Sequence, residues 1–446
     1  MMPHQPTRRQ FVQTAAAASA GIGFWIGNQT ITKAGNIKSP DEKMNVACFG
    51  VGGRGGADMV QVGSKENIVA LCDIDERKLQ QALERFPDAR TYRDFRELLE
   101  AEGDKLDAVT VGTPDHMHGV IAAASIRRGL HCYCEKPLTW SIEEARMLSM
   151  LARRHGVVTQ MGNQGSATHG FRTGVETLWS GAIGPVREVH IWTNRPVWPQ
   201  AIDRPTEAET IPDNLHWNLW LGVAPDRPYN RIYQPFNWRG WYDFGTGALG
   251  DMGCHTINLA YRGLKLDVPL TVQAEVSDRH EETFPAQARV TFEFPARGID
   301  YPPVTLVWYS GGWTPPFEML DGAGVEAMPK AGCILLGDDG RMFSPDDYGS
   351  KQILYPTEKF TGWKPPARIL PRVAGHHLEW MQGCHGGAKP YSNFEFASRL
   401  TETALLGALA IHTGKRIIWD RNAMRAHGVP EADDLIFRKY REGYSL

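Results

Sequence analysis

The sequence has no surplus of either charge. Its 48 lysines and arginines face 51 aspartates and glutamates, for a formal net charge of −3. A basic face for nucleic acid is therefore not implied. The seven cysteines contain no C-x-x-C pair and no zinc-ligand spacing, so no metal is expected. Cys132 and Cys134 alternate along an apolar run and read as buried thiols. Beyond the first 26 residues no run is apolar and long enough to span a membrane, and there are no internal repeats.

What is abundant is tryptophan (14) and proline (29). Flat indole rings suit the C–H faces of sugars, although most tryptophans serve as core or loop anchors. At 446 residues the chain has room for two domains with sizeable cores. The N-terminus stands apart. Arg8 and Arg9 precede an uncharged, alanine-rich run over residues 14–26, the pattern of a twin-arginine export signal. Residues 1–40 are thus expected to be signal and linker, and the protein periplasmic. If the signal is uncleaved, the run instead anchors the chain to the membrane.

Folded structure is expected from Met44. A short apolar strand over residues 45–49 runs directly into Gly50-Val51-Gly52-Gly53-Arg54-Gly55. This is G-x-G-x-x-G between a strand and a helix, the context of a dinucleotide fingerprint. Gly50 permits the turn, Gly52 lets backbone approach a pyrophosphate, and Gly55 lets helix pack on strand, with Gly53 and Arg54 completing the loop. The phosphates would meet the positive end of the helix dipole. Asp73 closes the next strand, where a carboxylate accepts ribose hydroxyls and repels a 2′-phosphate, favouring NAD over NADP. Asp75 is a candidate to share that role.

Further strands end at Thr113-Pro114-Asp115-His116-Met117-His118, at Glu135-Lys136-Pro137 and at Gly162-Asn163-Gln164. Alternating strands and helices predict a parallel sheet covered on both faces, a Rossmann domain over residues 44–164. Ligands bind such sheets at the carboxyl ends of the strands, where all these segments gather. Thr113, Pro114, His118, Glu135, Lys136 and Asn163 are therefore candidate cofactor contacts, with His116 or His118 at the cofactor and the other capping the next helix. Gln164 is a candidate substrate contact. Lys136, partly desolvated beside the reactive end of the cofactor, can stabilise an alkoxide; pairing with Glu135 is the structural alternative.

Residues 244–258, FGTGALGDMGCHTIN, hold Gly247, Gly250 and Gly253 together with Asp251 and His255. On a helix, Asp251 and His255 share one face, a turn apart. The glycines are expected to bring a bare helix face toward the cofactor. The pair is either proton-transfer machinery or a buried histidine with a carboxylate partner. The preceding region, residues 193–244, is rich in proline and tryptophan and without regular pattern. It reads as a wall that shapes the substrate, Trp238 and Arg239 foremost.

The motifs G-V-G-G-R-G, T-P-D-H-M-H, E-K-P and D-M-G-C-H, in this order, resemble the glucose–fructose oxidoreductase and inositol dehydrogenase family, Gfo/Idh/MocA. The resemblance implies a second α/β domain over residues 165–446 with an open, mainly antiparallel sheet, and association into homo-oligomers through that sheet. It also implies catalytic roles for Lys136, Asp251 and His255. His255 would act as base, Asp251 would orient the imidazole or bind a neighbouring hydroxyl, and Lys136 would hold the alkoxide as hydride leaves a sugar or glycoside. An exported enzyme has no free NAD pool, so the cofactor is expected to be tightly retained and reset in place. One way is a second substrate; the other is a redox-neutral cycle that eliminates a glycosidic leaving group. A non-catalytic sugar- or NAD-binding protein is the remaining alternative, opposed by the presence of all three reactive side chains. The paired His376 and His377 open a short helix and, facing different ways, are assigned to core and pocket.

Overall fold

The computed structural model of the protein describes residues 42–446; the arginine pair and the apolar run behind it lie outside them. Strands β1 (Asn45–Phe49), β2 (Asn67–Cys72), β3 (Arg90–Tyr92), β4 (Ala108–Val111), β5 (His131–Cys134) and β6 (Thr159–Met161) form one parallel sheet, in the order β3-β2-β1-β4-β5-β6. Helices α1 (Gly53–Gly63), α2 (Glu76–Leu83), α3 (Phe95–Glu102), α4 (Asp115–Arg127) and α5 (Ile142–His155) connect them. Strand order reverses between β1 and β4, which opens a crevice at the carboxyl ends of those two strands. Gly50, at φ +75°, turns the chain there, and a Cβ on it would lie 2.7 Å from the Gly112 carbonyl oxygen. Ser141 and Glu144 close a capping box at the start of α5. Glu144 accepts there from the Trp140 and Ser141 amides.

Helix α6 (His169–Trp179) leads to the second sheet. Its strands are β7 (Val186–Trp192), β8 (Thr271–Val276), β9 (Ala288–Phe294), β10 (Val304–Ser310), β11 (Gly332–Gly337), β12 (Gly340–Ser344), β13 (Ile353–Tyr355), β14 (Ile417–Asp420) and β15 (Arg425–Ala426). They run in the order β13-β12-β11-β7-β10-β9-β8-β14-β15, antiparallel except where β10 lies parallel to β7. A turn at Asp338 and Asp339 joins β11 to β12.

The region before Phe244 is not structureless. It contains α7 (Trp217–Leu221) and an aromatic cluster of its own, in which Trp217 stacks on Trp220 at 4.7 Å and Tyr233 meets Trp241 at 4.8 Å. Ring burial stabilises this segment where ladder hydrogen bonds are few. Trp217 and Trp241 therefore face this cluster rather than a substrate. Helices α8 (Gly247–Thr256), α9 (Asn258–Gly263), α10 (His376–Cys384), α11 (Phe394–Thr413) and α12 (Asp433–Ile436) complete the chain. Helix α11 carries a buried apolar face that packs on α5, α8, β8 and β9, so one core supports both sheets.

The glycines of α8 serve packing, not the cofactor. A Cβ on Gly247 would sit 2.6 Å from the Phe284 ring, and one on Gly253 2.9 Å from Leu249. On Gly250 it would stand 1.8 Å from Thr246 Oγ1, the hydroxyl that donates to Asp115 Oδ2 at 2.6 Å. Gly250→Ala gains about 1 kcal/mol in helix propensity. It displaces Thr246, however, and strips a buried carboxyl of its partner. A net loss of about 1–3 kcal/mol is expected in denaturant unfolding; an unchanged or raised midpoint would refute the packing role.

Candidate active site

A cleft of about 650 Å³ runs along the carboxyl ends of β1, β2, β4 and β5 to the face of α8. At one end, Gly50 N–H donates to Cys72 O at 2.8 Å. Asp73 accepts Val51 N–H on Oδ2 (2.9 Å) and Asp75 N–H on Oδ1 (3.0 Å). Each carboxylate oxygen keeps a lone pair for a ribose hydroxyl. Asp75 is committed elsewhere: its Oδ1 caps α2 through Arg77 N–H and accepts from Asn214. Gly53, at φ +50°, has open space where a side chain would be. Thr113 Oγ1, on the cleft beside Pro114, is buried without a hydrogen-bond partner. An open glycine cradle and a waiting hydroxyl fit a dinucleotide phosphate.

At the other end Lys136 and α8 meet. Lys136 Nζ donates to Asp251 Oδ1 at 2.7 Å and to the Asp251 carbonyl at 2.8 Å, which leaves one of its three protons. Its partner is Asp251, not Glu135. Burial opposes the ammonium charge, but the Asp251 carboxylate overcomes it and holds the lysine above its ordinary value. Burial likewise works against the carboxylate, yet Lys136 and then Arg239 hold Asp251 down at about 2. Arg239 Nε reaches the same Oδ1 at 3.2 Å and lies over the Trp238 and Phe236 rings, 4.3 Å from each. Trp238, Phe236, Trp220, Arg195 and Tyr348 line the cleft around them.

His255 faces the same space, but Asp251 does not orient it. Asn163 does. Asn163 Nδ2 donates to Cys254 O at 2.7 Å, which turns its Oδ1 to accept His255 Nδ1–H at 2.9 Å. The network thus assigns the lone pair to Nε2. Asn163, expected at the cofactor, is wholly buried behind the imidazole. Tyr348 meets that imidazole edge-on at 5.0 Å. Burial and then the Lys136 charge push His255 well below its ordinary value of 6.5. Its base form persists as pH falls past that value, while the Lys136 ammonium persists above 10.5. We expect kcat/KM to stay flat between these limits and to decline only outside them. An acid limb with its midpoint at 6.5 or above would contradict the assignment.

Arg54, Glu135 and Gln164 line the cleft as expected and bond one another there. Arg54 turns to Glu135 at 3.1 Å and Asp58 at 3.0 Å. Gln164, with its amide oxygen facing the guanidinium, accepts from Arg54 at 2.6 Å. Burial raises Asp58 and Glu135 each to about 7, so this cluster braces the cleft floor rather than presenting bare charge. His118 lines the cleft and bonds Thr113 O and Pro137 O, both at 2.8 Å. His116 caps nothing. It is buried against Trp220 O (2.9 Å) and Phe244 O (3.2 Å). His376 and His377 contact Met161 O and Asp58, beneath Tyr133.

Asp115 was not anticipated as a site residue. It borders the cleft and is raised to about 7 by burial, although its Thr246 hydrogen bond opposes the shift. Its place in T-P-D-H, just past a strand end, was the available signal. Tyr348 had none, since it stands in an unpatterned turn between β12 and β13.

A family model described as "Oxidoreductase family, NAD-binding Rossmann fold" matches residues 44–163. Its companion, "Oxidoreductase family, C-terminal alpha/beta domain", matches residues 194–299. The chain belongs to the Gfo/Idh/MocA oxidoreductase family. Among curated relatives, a 1-carboxy-3-chloro-3,4-dihydroxycyclohexa-1,5-diene dehydrogenase of Comamonas testosteroni is 28% identical over 172 residues, covering 37% of this chain and 42% of that one. A glycosyl hydrolase family 109 protein of Akkermansia muciniphila is 30% identical over 147 residues, covering 30% and 31%. The matched part thus spans less than half the length of either relative. The WlbA dehydrogenase of Bordetella pertussis, solved with NADH and UDP-GlcNAcA, shares the fold at a TM-score of 0.58. It is 16% identical, with 85% of this chain and 99% of that one covered.

Proposed function

We propose that this Gfo/Idh/MocA protein is an NAD-dependent oxidoreductase acting on a secondary hydroxyl of a sugar or glycoside. The observation that carries this is the shared space of three groups: the spare Lys136 proton, the His255 Nε2 lone pair and the glycine cradle. His255 Nε2 takes the hydroxyl proton. Lys136 donates to the oxygen as negative charge develops on it, in a site whose burial strengthens the interaction. Asp251 keeps the lysine charged and in place, and Arg239, braced on Phe236 and Trp238, is offered to a second hydroxyl. The bound nicotinamide would supply the hydride acceptor.

Asp73 favours NAD over NADP. Export by the twin-arginine route to the periplasm, tight cofactor retention and homo-oligomerisation complete the proposal. Denaturing the purified protein and identifying the released nucleotide tests retention; protein free of nicotinamide that binds added NAD only weakly would defeat it. The similarity to a glycosyl hydrolase family 109 protein supports a second reading, a redox-neutral glycoside hydrolase or lyase. There, oxidation would acidify a neighbouring C–H, loss of that proton would expel the aglycone, water would add to the resulting double bond in the hydrolase, and hydride would return. Release of free aglycone without net reduced cofactor or consumption of an acceptor distinguishes the two.

A further inference from the structure

The polarity of the cleft fixes where a dinucleotide's two ends lie. Asp73 ends β2 and meets the adenosine ribose, whereas Lys136 ends β5 at the reactive end. With strand order β3-β2-β1-β4-β5, the purine must lie outward of β2, toward β3. The chain leaving β3 puts Phe95 on the cleft there, with Ile74 across from the ribose position. Among the described residues of the first domain, the other aromatic ring on the cleft is Phe49, at the end of β1. Another arrives from the far end of the sequence: Tyr444, its ring inclined 29° to Phe95 with centroids 6.4 Å apart, lines the same cavity.

Tyr444 is held from several directions. Arg96 Nη1 donates to Gly443 O at 3.0 Å, and its guanidinium lies 4.7 Å from the tyrosine ring centre. Gly443 adopts φ +87°, which turns the chain toward Phe95 and disfavours any other residue. Arg441 ties the turn to the second domain through Gly222 O (2.9 Å) and Asn218 O (2.8 Å), and it pairs with Asp226. Those carbonyls lie within α7 and at its end, and the Leu219 and Trp220 of this helix also line the cleft. The ring is partly buried, one side packed toward the core beside Phe95 and the other lining the cleft.

We propose that residues 441–444 complete the adenine site of the cleft, with Tyr444 contacting the purine and the turn slowing release of that end of the cofactor. This rests on the reading of the cleft as an NAD site. Tyr444→Ala tests it, because the ring is only partly buried and its loss leaves the Arg441 anchors in place. Cofactor-free protein is titrated with ADP-ribose and, separately, with nicotinamide mononucleotide, following tryptophan fluorescence. Base–aromatic contact predicts about tenfold or more weaker ADP-ribose binding in the variant, with the mononucleotide unaffected. Release of bound NAD, followed by mass spectrometry after dilution, is expected to quicken by a similar factor. Tyr444→Phe is expected to match the parent. If Tyr444→Ala binds ADP-ribose as tightly as the parent, the adenine assignment falls while the NAD site stands. If the parent itself binds neither ADP-ribose nor NAD, the reading of the cleft falls first and this inference with it.

Discussion

Replacing Lys136 by alanine is expected to lower kcat by about 10²–10³-fold, the range for removing a donor that acts on a developing oxyanion. Bound NAD should be retained, because the glycine cradle, Asp73 and Thr113 lie elsewhere in the cleft. The substitution also removes two hydrogen bonds made at Asp251 and leaves the buried carboxylate to Arg239 alone, a loss that by itself lowers stability. The two effects separate in Lys136→Arg, which restores a cation to Asp251 without the compact ammonium. Thermal stability should recover, and turnover should remain low. Recovery of both would reduce Lys136 to a structural counter-ion.

The second large effect is at His255. His255→Ala is expected to cost about 10²–10⁴-fold in kcat, the usual contribution of a positioned general base. Burial keeps the imidazole neutral, so its removal uncovers no charge. The loss should therefore appear in turnover, measured at saturating substrate, with cofactor content unchanged, while the cavity and the unpaired Asn163 Oδ1 cost about 1–3 kcal/mol of stability. Asn163 and Tyr348, its neighbours, lie outside the glycine cradle and should not release the nucleotide. Near-parental kcat in this variant would return His255 to a core role.

Much of this site was legible in the sequence because it depends on local pattern. Apolar runs ending in glycine or proline located the strand ends, and parallel topology brings strand ends together regardless of side-chain detail. That reasoning reached Gly50, Asp73, Thr113, Lys136 and α8. It did not reach the pairings. Asp251 and His255 share a helix face, so sequence spacing offered the carboxylate as the imidazole's partner. The fold gives Asp251 to Lys136 and places Asn163 behind His255 instead. Which side chain reaches which depends on how α8 is seated against the first sheet, and that seating is set by α11, more than a hundred residues away. The glycines of α8 were misread for the same reason: they signalled a close approach without saying to what. The aromatic segment before Phe244 was legible as important but not as structured, since ring-on-ring burial has no sequence period.

The central claim is that Lys136 and His255 act on a hydroxyl beside a bound nicotinamide. It is tested most directly by mixing NAD-loaded protein with a panel of sugars and glycosides and recording the absorbance of reduced nicotinamide. The account predicts that at least one sugar reduces the bound cofactor in the parent, and that Lys136→Ala, carrying equal NAD, shows no reduction on the same timescale. Sugars that bind in the cleft without reducing any cofactor, or a Lys136→Ala protein that reduces it as fast as the parent, would contradict it.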